Sequence, residues 1–184
     1  MRIVAGRHKG KALATPKSNA IRPTSDRSRE AIFNVLEHGI GLDLDGACVL
    51  DLFAGSGALG LEALSRGAAL ALFVDNGTEA RGLLRRNTEA LGETGKTRVF
   101  RRDATSLGMR PSFPAFDLIF CDPPYCKGLG ERALRSAIDG GWLNSGAIAM
   151  LEESTRADIE PLEFFEELDR RVYGDTKILF LKRT

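Results

Sequence analysis

A chain of 184 residues with 43% hydrophobic content is long enough for one well-packed domain and too short for two ordinary ones. Its apolar runs, such as 147–151 and 178–181, fall far short of the roughly 20 residues of a membrane-spanning helix, and Arg7 interrupts the opening stretch before any signal-peptide core forms. Three cysteines, Cys48, Cys121 and Cys126, form no paired CxxC pattern, so neither a structural zinc site nor any other metal is expected. A cytoplasmic monomer of one domain, 1–184, is the resulting expectation, with a basic arm over 1–20 and a core over 21–184.

The net charge of +1 conceals an asymmetry. Residues 1–29 hold eight Lys/Arg against the single acid Asp26, a charge of +7, whereas the remainder carries 18 basic and 24 acidic residues, or −6. Such a division marks a polyanion-binding arm or a solvated basic face. Gly6 and Lys9-Gly10-Lys11 suggest a basic hairpin or a loose arm. The X-Pro step at Arg22-Pro23 and the N-cap candidates Thr24, Ser25 and Asp26 then start a helix, with Ile32, Phe33, Val35 and Leu36 as its buried stripe, ending near Gly39.

Short apolar strand candidates follow at 49–53, 70–75, 98–101, 117–121 and 148–152, with helical stretches or turns between them. This alternation predicts βαβ units and a buried parallel sheet. The tail differs: 171–173, a Gly174-Asp175 turn and 176–182 read as an antiparallel hairpin. The predicted class is therefore α/β, a mostly parallel sheet with an antiparallel end. His8 and His38 offer no ligand cluster, and exposed or capping roles are expected for both.

Asp51-Leu52-Phe53-Ala54-Gly55-Ser56-Gly57-Ala58-Leu59-Gly60 lies where the first core strand turns into a helix. Gly55, Gly57 and Gly60 satisfy the G-x-G-x-x-G dinucleotide pattern, and Asp75 follows Gly55 by twenty residues, where an acid binds a ribose hydroxyl. A nicotinamide-dependent dehydrogenase is thus a competing reading. Against it, the Asp51 carboxylate inside the turn repels a pyrophosphate and suits a cation, and Asp103, beside Ala104, places a third acid at the carboxyl edge of the same sheet.

The most specific signal is Asp122-Pro123-Pro124-Tyr125, directly after the fourth strand. The two prolines remove two backbone donors, leaving carbonyls and the Asp122 carboxylate to accept hydrogen bonds from a ligand NH₂. An exocyclic base amine is a poor nucleophile, so its catalysis lies in accepting those hydrogen bonds and aligning nitrogen, methyl carbon and sulfur. Tyr125 is placed to stack on a base rotated out of its helix.

With these motifs in this order the chain resembles class I S-adenosylmethionine-dependent amino-methyltransferases. The opening Arg2-Ile3-Val4-Ala5-Gly6, the run from Arg22 through Glu30, residues 50–68, Gly141-Trp142-Leu143 and Tyr173-Gly174-Asp175-Thr176-Lys177 resemble the bacterial small-subunit ribosomal RNA guanine-N2 methyltransferases. That resemblance implies a Rossmann-like, seven-stranded sheet with helices on both faces and a small N-terminal β-hairpin. It implies S-adenosylmethionine as cofactor, with Asp51, Ala54, Gly55 and Gly57 at its amino acid part, Asp75 and the adjoining Asn76 at its ribose, and Asp103 with Ala104 at its adenine. Asp122, Pro123, Pro124 and Tyr125 would hold the guanine. Arg7, Lys9, Lys11, Arg22, Arg27 and Arg29 would meet phosphates of ribosomal RNA, the expected substrate being a partly assembled small subunit. Asp75 departs from the family pattern, where Glu is more frequent. The remaining alternatives are adenine-N6 methylation of DNA, for which 184 residues leave little room for a target-recognition region, and a silent cofactor-binding RNA or assembly module.

Overall fold

The computed structural model describes residues 1–16 and 25–184. Ser25 caps α1 (Asp26–Asn34), its side chain accepting from the Ser28 amide at 3.0 Å, and a wider turn over Val35–Gly39 completes the predicted helix. There follow β1 (Cys48–Leu52), α2 (Ala58–Ser65), β2 (Leu70–Val74), α3 (Thr78–Leu91), β3 (Thr97–Phe100), β4 (Phe116–Cys121), α4 (Leu129–Asp139), β5 (Leu143–Ser154), β6 (Phe165–Tyr173) and β7 (Thr176–Arg183).

The seven strands form one sheet in the order β3-β2-β1-β4-β5-β7-β6, parallel except for β7, which runs antiparallel to both β5 and β6. Because successive strand residues point to opposite faces, a sheet covered on both sides needs apolar residues at every position. Val49 on β1, Leu118 and Phe120 on β4, and Ile178 and Phe180 on β7 pack into one core with Phe33, Leu61, Leu64 and Leu84 from α1, α2 and α3. Their neighbours Leu50, Leu52, Ile119, Cys121, Leu179 and Leu181 pack into the opposite core with Ala133, Leu134 and Ala137 of α4, and with Trp142.

Two boundaries differ from the sequence reading. β5 starts at Leu143 rather than 148, with a register shift against β4 between Phe116 and Leu118. β6 starts at Phe165 rather than 171 and is mostly exposed, so this edge strand carries no apolar alternation by which to recognise it. The basic arm is also a docked loop rather than a loose one. One antiparallel bridge, Arg2 with Ala12, closes it around a single turn at Gly6–His8, and Ile3 and Leu13 are buried in the first core.

Strand order reverses between β1 and β4, since β2 and β3 lie on one side of β1 and β4 on the other. Open α/β sheets bind ligands at the carboxyl ends of the strands flanking such a reversal. Both sequence motifs leave their strands there: Leu52 pairs with Cys121, which sets Phe53 beside Asp122 in register.

Candidate active site

A cavity of about 490 Å³ opens at this edge. Asp51, Ala54 and Gly55 line it from the β1 turn, Asp75 and Asn76 from the end of β2, and Asp122, Pro123, Pro124 and Tyr125 from the end of β4. Nine of the residues singled out in the sequence thus converge on one space, although the three segments lie far apart in the chain. Gly57 stands behind the lining with φ of +78° and heads α2.

The turn is held by backbone and carboxylate together. Gly57 N–H donates to the Ala54 carbonyl at 2.7 Å, and Ala54 N–H to the Val74 carbonyl at 3.2 Å. Gly60 admits no side chain, because a Cβ there would lie 2.5 Å from the Phe73 ring and 3.1 Å from Asp51 Oδ2. Phe53 takes a φ of +58°, a left-handed conformation uncommon for a bulky residue and characteristic of functional turns.

Asp51 is 3% exposed and accepts from Gly60 N–H at 3.0 Å. Burial pushes its carboxyl up to about 8, against the hydrogen bond from Gly60, and the charge of Asp75 adds to the rise. Without a cation beside it, the group therefore holds a proton at neutral pH. Asp75 is engaged on both oxygens: Oδ2 accepts from Gly55 N–H at 2.9 Å and Oδ1 from Gly77 N–H at 2.7 Å, which ties the β1 turn to the start of α3.

Tyr125 is half-buried, and its hydroxyl donates to the Glu152 carboxylate, with Thr176 Oγ1 at 3.4 Å. Burial and then that hydrogen bond push the phenol well above its ordinary value, so its hydroxyl keeps its proton at neutral pH. Glu153 Oε1 accepts from Cys126 N–H at 2.9 Å and Ser154 N–H at 2.7 Å, holding the backbone just past the motif where Cys126 has a φ of +59°.

Asp103 and Ala104 lie outside the cavity lining. They follow β3, where the Thr105 hydroxyl at 2.7 Å and its amide at 2.8 Å hold the Asp103 carboxyl below the usual range. Conversely, Phe53, Ser56, Leu59 and the first turn of α3, Thr78 to Ala80, line the cavity without having been singled out. The start of a helix immediately after Asp75 was the signal for the last group. For Glu152 and Glu153 it was a pair of acids closing an apolar strand.

Of the six predicted phosphate contacts, Arg7, Lys9, Lys11 and Arg27 are exposed, and Arg7 also pairs with Glu93 at 2.5 Å. Arg22 lies outside the described residues. Arg29 requires a correction: it is completely buried, donating to the Arg2 carbonyl and to Asp26 Oδ1 at 2.8 Å, so its guanidinium is a structural tie between α1 and the arm and cannot reach a phosphate. His8 likewise is neither exposed nor a cap, since its Nε2 lies 2.5 Å from Glu93 Oε1 and only 11% of its side chain is exposed. Among the described residues there is no His/Cys/Asp/Glu group of metal-binding type, and no helix is long and apolar enough to cross a membrane.

The family model described as conserved hypothetical protein 95 matches residues 1–182. The chain belongs to that family. It is 40% identical to ribosomal RNA small subunit methyltransferase D of Escherichia coli over 152 residues, which are 83% of this chain and 74% of that relative. The solved structure of a candidate methyltransferase, yhhF, from Escherichia coli superposes with a TM-score of 0.82 at 30% identity, covering 100% of this chain and 97% of that one. The magnesium protoporphyrin IX methyltransferase of Synechocystis, solved with bound S-adenosylmethionine, shares the fold at a TM-score of 0.64 and 16% identity, over 86% of this chain and 79% of that one. The member of the family described here is an enzyme of the methyltransferase class with a Rossmann-like fold.

Proposed function

We propose that this chain transfers a methyl group from S-adenosylmethionine to the exocyclic N2 amino group of a guanine in small-subunit ribosomal RNA. The observation that carries the reading is the placement of Asp122-Pro123-Pro124-Tyr125 on the wall of the cavity whose other walls bear Asp51 and Asp75. The 40% identity to a small-subunit ribosomal RNA methyltransferase names the class of RNA. We place the reaction in the cytoplasm, performed by a monomer on a partly assembled subunit.

The residues present fit the cofactor. A volume of about 490 Å³ lies in the range of small-molecule sites. Among the described residues no cation pairs with the buried Asp51 carboxyl, and an amino acid ammonium would supply one. Asp75, fixed by two amides, keeps lone pairs for ribose hydroxyls, and Asn76 lies next to it on the cavity wall. Ala54, Gly55 and Gly57 keep the backbone close to the amino acid part, while Asp103 and Ala104, at the same sheet edge, mark the direction of the adenine.

Bound, the cofactor offers a methyl group on a positively charged sulfur that leaves as a neutral thioether. The protein must then orient a weak nucleophile. The Asp122 carboxylate and the carbonyls of the proline segment accept the hydrogens of the guanine amino group, which turns its lone pair toward the methyl carbon. The bound cofactor would supply the methyl group, its carbon–sulfur bond breaking as the nitrogen–carbon bond forms, and the surplus proton on nitrogen would pass to water. Tyr125, anchored by Glu152, presents its ring to the extruded base, a contact worth about 1–3 kcal/mol.

The decisive test incubates the protein and methyl-labelled S-adenosylmethionine with undermodified small ribosomal subunits, naked ribosomal RNA and DNA, then identifies the labelled nucleoside. N2-methylguanosine from RNA is expected. N6-methyladenine from DNA, or no label despite cofactor binding, would replace this reading with one of the alternatives. Asp75→Ala is expected to weaken cofactor binding roughly tenfold to a hundredfold, the loss of one or two hydrogen bonds to a charged group, as measured by calorimetry.

Arg7, Lys9 and Lys11 are read as phosphate contacts. Reversing their charge together is expected to raise the RNA concentration for half-maximal rate roughly tenfold or more and to flatten the salt dependence of RNA binding by about two logarithmic units. An unchanged affinity and salt slope would remove the arm from the RNA interface.

A further inference from the structure

We propose that Asn87 is a positioning residue that couples the basic arm to the glycine loop, so that RNA and cofactor each strengthen the binding of the other. The inference rests on the reading above, in which the arm meets RNA and the cavity takes S-adenosylmethionine.

Asn87 stands in the inward stripe of α3 with Ala80, Leu84, Thr88 and Leu91, and is 1% exposed. An amide at such a position is costly unless its polar atoms are satisfied, and an apolar side chain would pack there without that demand. Its Oδ1 accepts from Ala14 N–H at 2.7 Å. Its Nδ2 donates to the Ala14 carbonyl at 3.1 Å and to the Ser56 carbonyl at 2.9 Å. Ser56 belongs to the turn that lines the cavity, and Ala14 closes the basic arm. One buried amide therefore ties two segments to α3, one facing the cofactor site and one carrying the cations.

The rest of the arm rests on α2, the helix that springs from the same turn. Glu62, fully buried, accepts from Val4 N–H at 2.8 Å and Ala5 N–H at 2.9 Å. Ser65 Oγ donates to the Ala5 carbonyl at 2.5 Å and accepts from His8 N–H at 3.0 Å. Gly6 has a φ of +77°, and a Cβ on it would come within 1.9 Å of the Ser65 carbonyl oxygen. Between these anchors and Asn87, Lys9 and Lys11 are exposed. A glycine loop held by cofactor keeps the Ser56 carbonyl where Asn87 meets it, and so keeps Asn87 where Ala14 meets it. By linkage, RNA that holds the arm must favour the cofactor by the same factor.

The test measures the dissociation constant of unmethylated small-subunit ribosomal RNA with and without saturating S-adenosylhomocysteine, and that of S-adenosylhomocysteine with and without RNA. In the wild type both ratios are expected to be equal and about fivefold or larger. In Asn87→Ala both should fall to about one, with each ligand still bound and kcat at saturation of both substrates kept within about twofold. Ala14→Pro deletes the arm's donor while leaving α3 intact, and the same loss is expected. A residue that only supported the fold would lower the melting temperature in proportion while the ratios survived. Ratios of one in the wild type, or ratios retained in both variants, would overturn the proposal. If the wild type binds neither RNA nor S-adenosylhomocysteine, the functional reading itself fails and takes this inference with it.

Discussion

Replacing Asp122 by alanine is expected to lower kcat about 10²–10³-fold, the loss seen when one preorganised hydrogen-bonding group is removed from an active site, while the cofactor dissociation constant stays within about threefold of wild type. The division follows from position. Asp122 leaves β4 on the cavity wall, whereas the groups read as cofactor contacts leave β1, β2 and β3, so alanine deletes an acceptor for the base amine and leaves those groups in place. Asp122→Asn keeps one acceptor oxygen but adds two donors that oppose the amine hydrogens, and should fall between wild type and alanine. Single-turnover methylation and calorimetric cofactor titration measure the two quantities separately. Equal loss of both in Asp122→Ala would show that the residue belongs to the cofactor site instead.

The second large effect belongs to Asp51 and depends on pH. Its carboxyl, pushed up to about 8 by burial, stays protonated in the native protein over a range where the unfolded chain, with an ordinary carboxyl near 3.8, has lost its proton. The native state therefore binds more protons than the unfolded one between those values, and the contribution of Asp51 to stability declines as pH rises through that window and levels off above about 8. Asp51→Asn, which cannot ionise, should lack this decline. Its melting temperature in the absence of cofactor should gain on the wild type from about pH 4 upward and keep a constant lead above about pH 8, a comparison that scanning fluorimetry makes directly.

Binding a cofactor ammonium should draw the proton from Asp51. Cofactor affinity of the wild type is then expected to rise by up to about tenfold per pH unit on the acid side of about 7, with one proton released on binding there, read from calorimetry in buffers of different ionisation enthalpy. Asp51→Asn should lose that pH dependence and bind about a hundredfold more weakly at pH 8, as expected when a charge-assisted contact is removed. An affinity that does not change with pH in the wild type would mean that Asp51 does not meet the cation.

Much of this architecture was legible in the chain. The bounds of β1, β2 and β4 agree with the sequence reading to within a residue, because strands buried on both faces are nearly all apolar, Asp51 and Asp117 being the polar positions within β1 and β4. β5 and β6 were misplaced for the opposite reason. Asn144 and Ser145, both exposed, interrupt the first, and Glu166, Glu167 and Asp169 disguise the second, which lies at the end of the sheet beside β7. The burial of Arg29 contradicted a reading based on charge, although its spacing of three and four residues before the buried Ile32 and Phe33 places it on their face of α1.

The sequence by itself determined the alternation of strands and helices, the order of the acidic residues, and the position of the glycine turn and of Asp122-Pro123-Pro124-Tyr125 at strand ends. These follow from local pattern: strand periodicity, helix capping and the restricted backbone of proline and glycine. Only the tertiary structure decided the state and reach of the polar groups. The Asp51 carboxyl is pushed up to about 8 because the fold buries it, with the charge of Asp75 adding to the rise. Glu62 and Asn87 clasp the arm across separations of 58 and 73 residues. Solvation and hydrogen bonding depend on what is near in space, and no pattern along the chain encodes those neighbours until the sheet has brought them together.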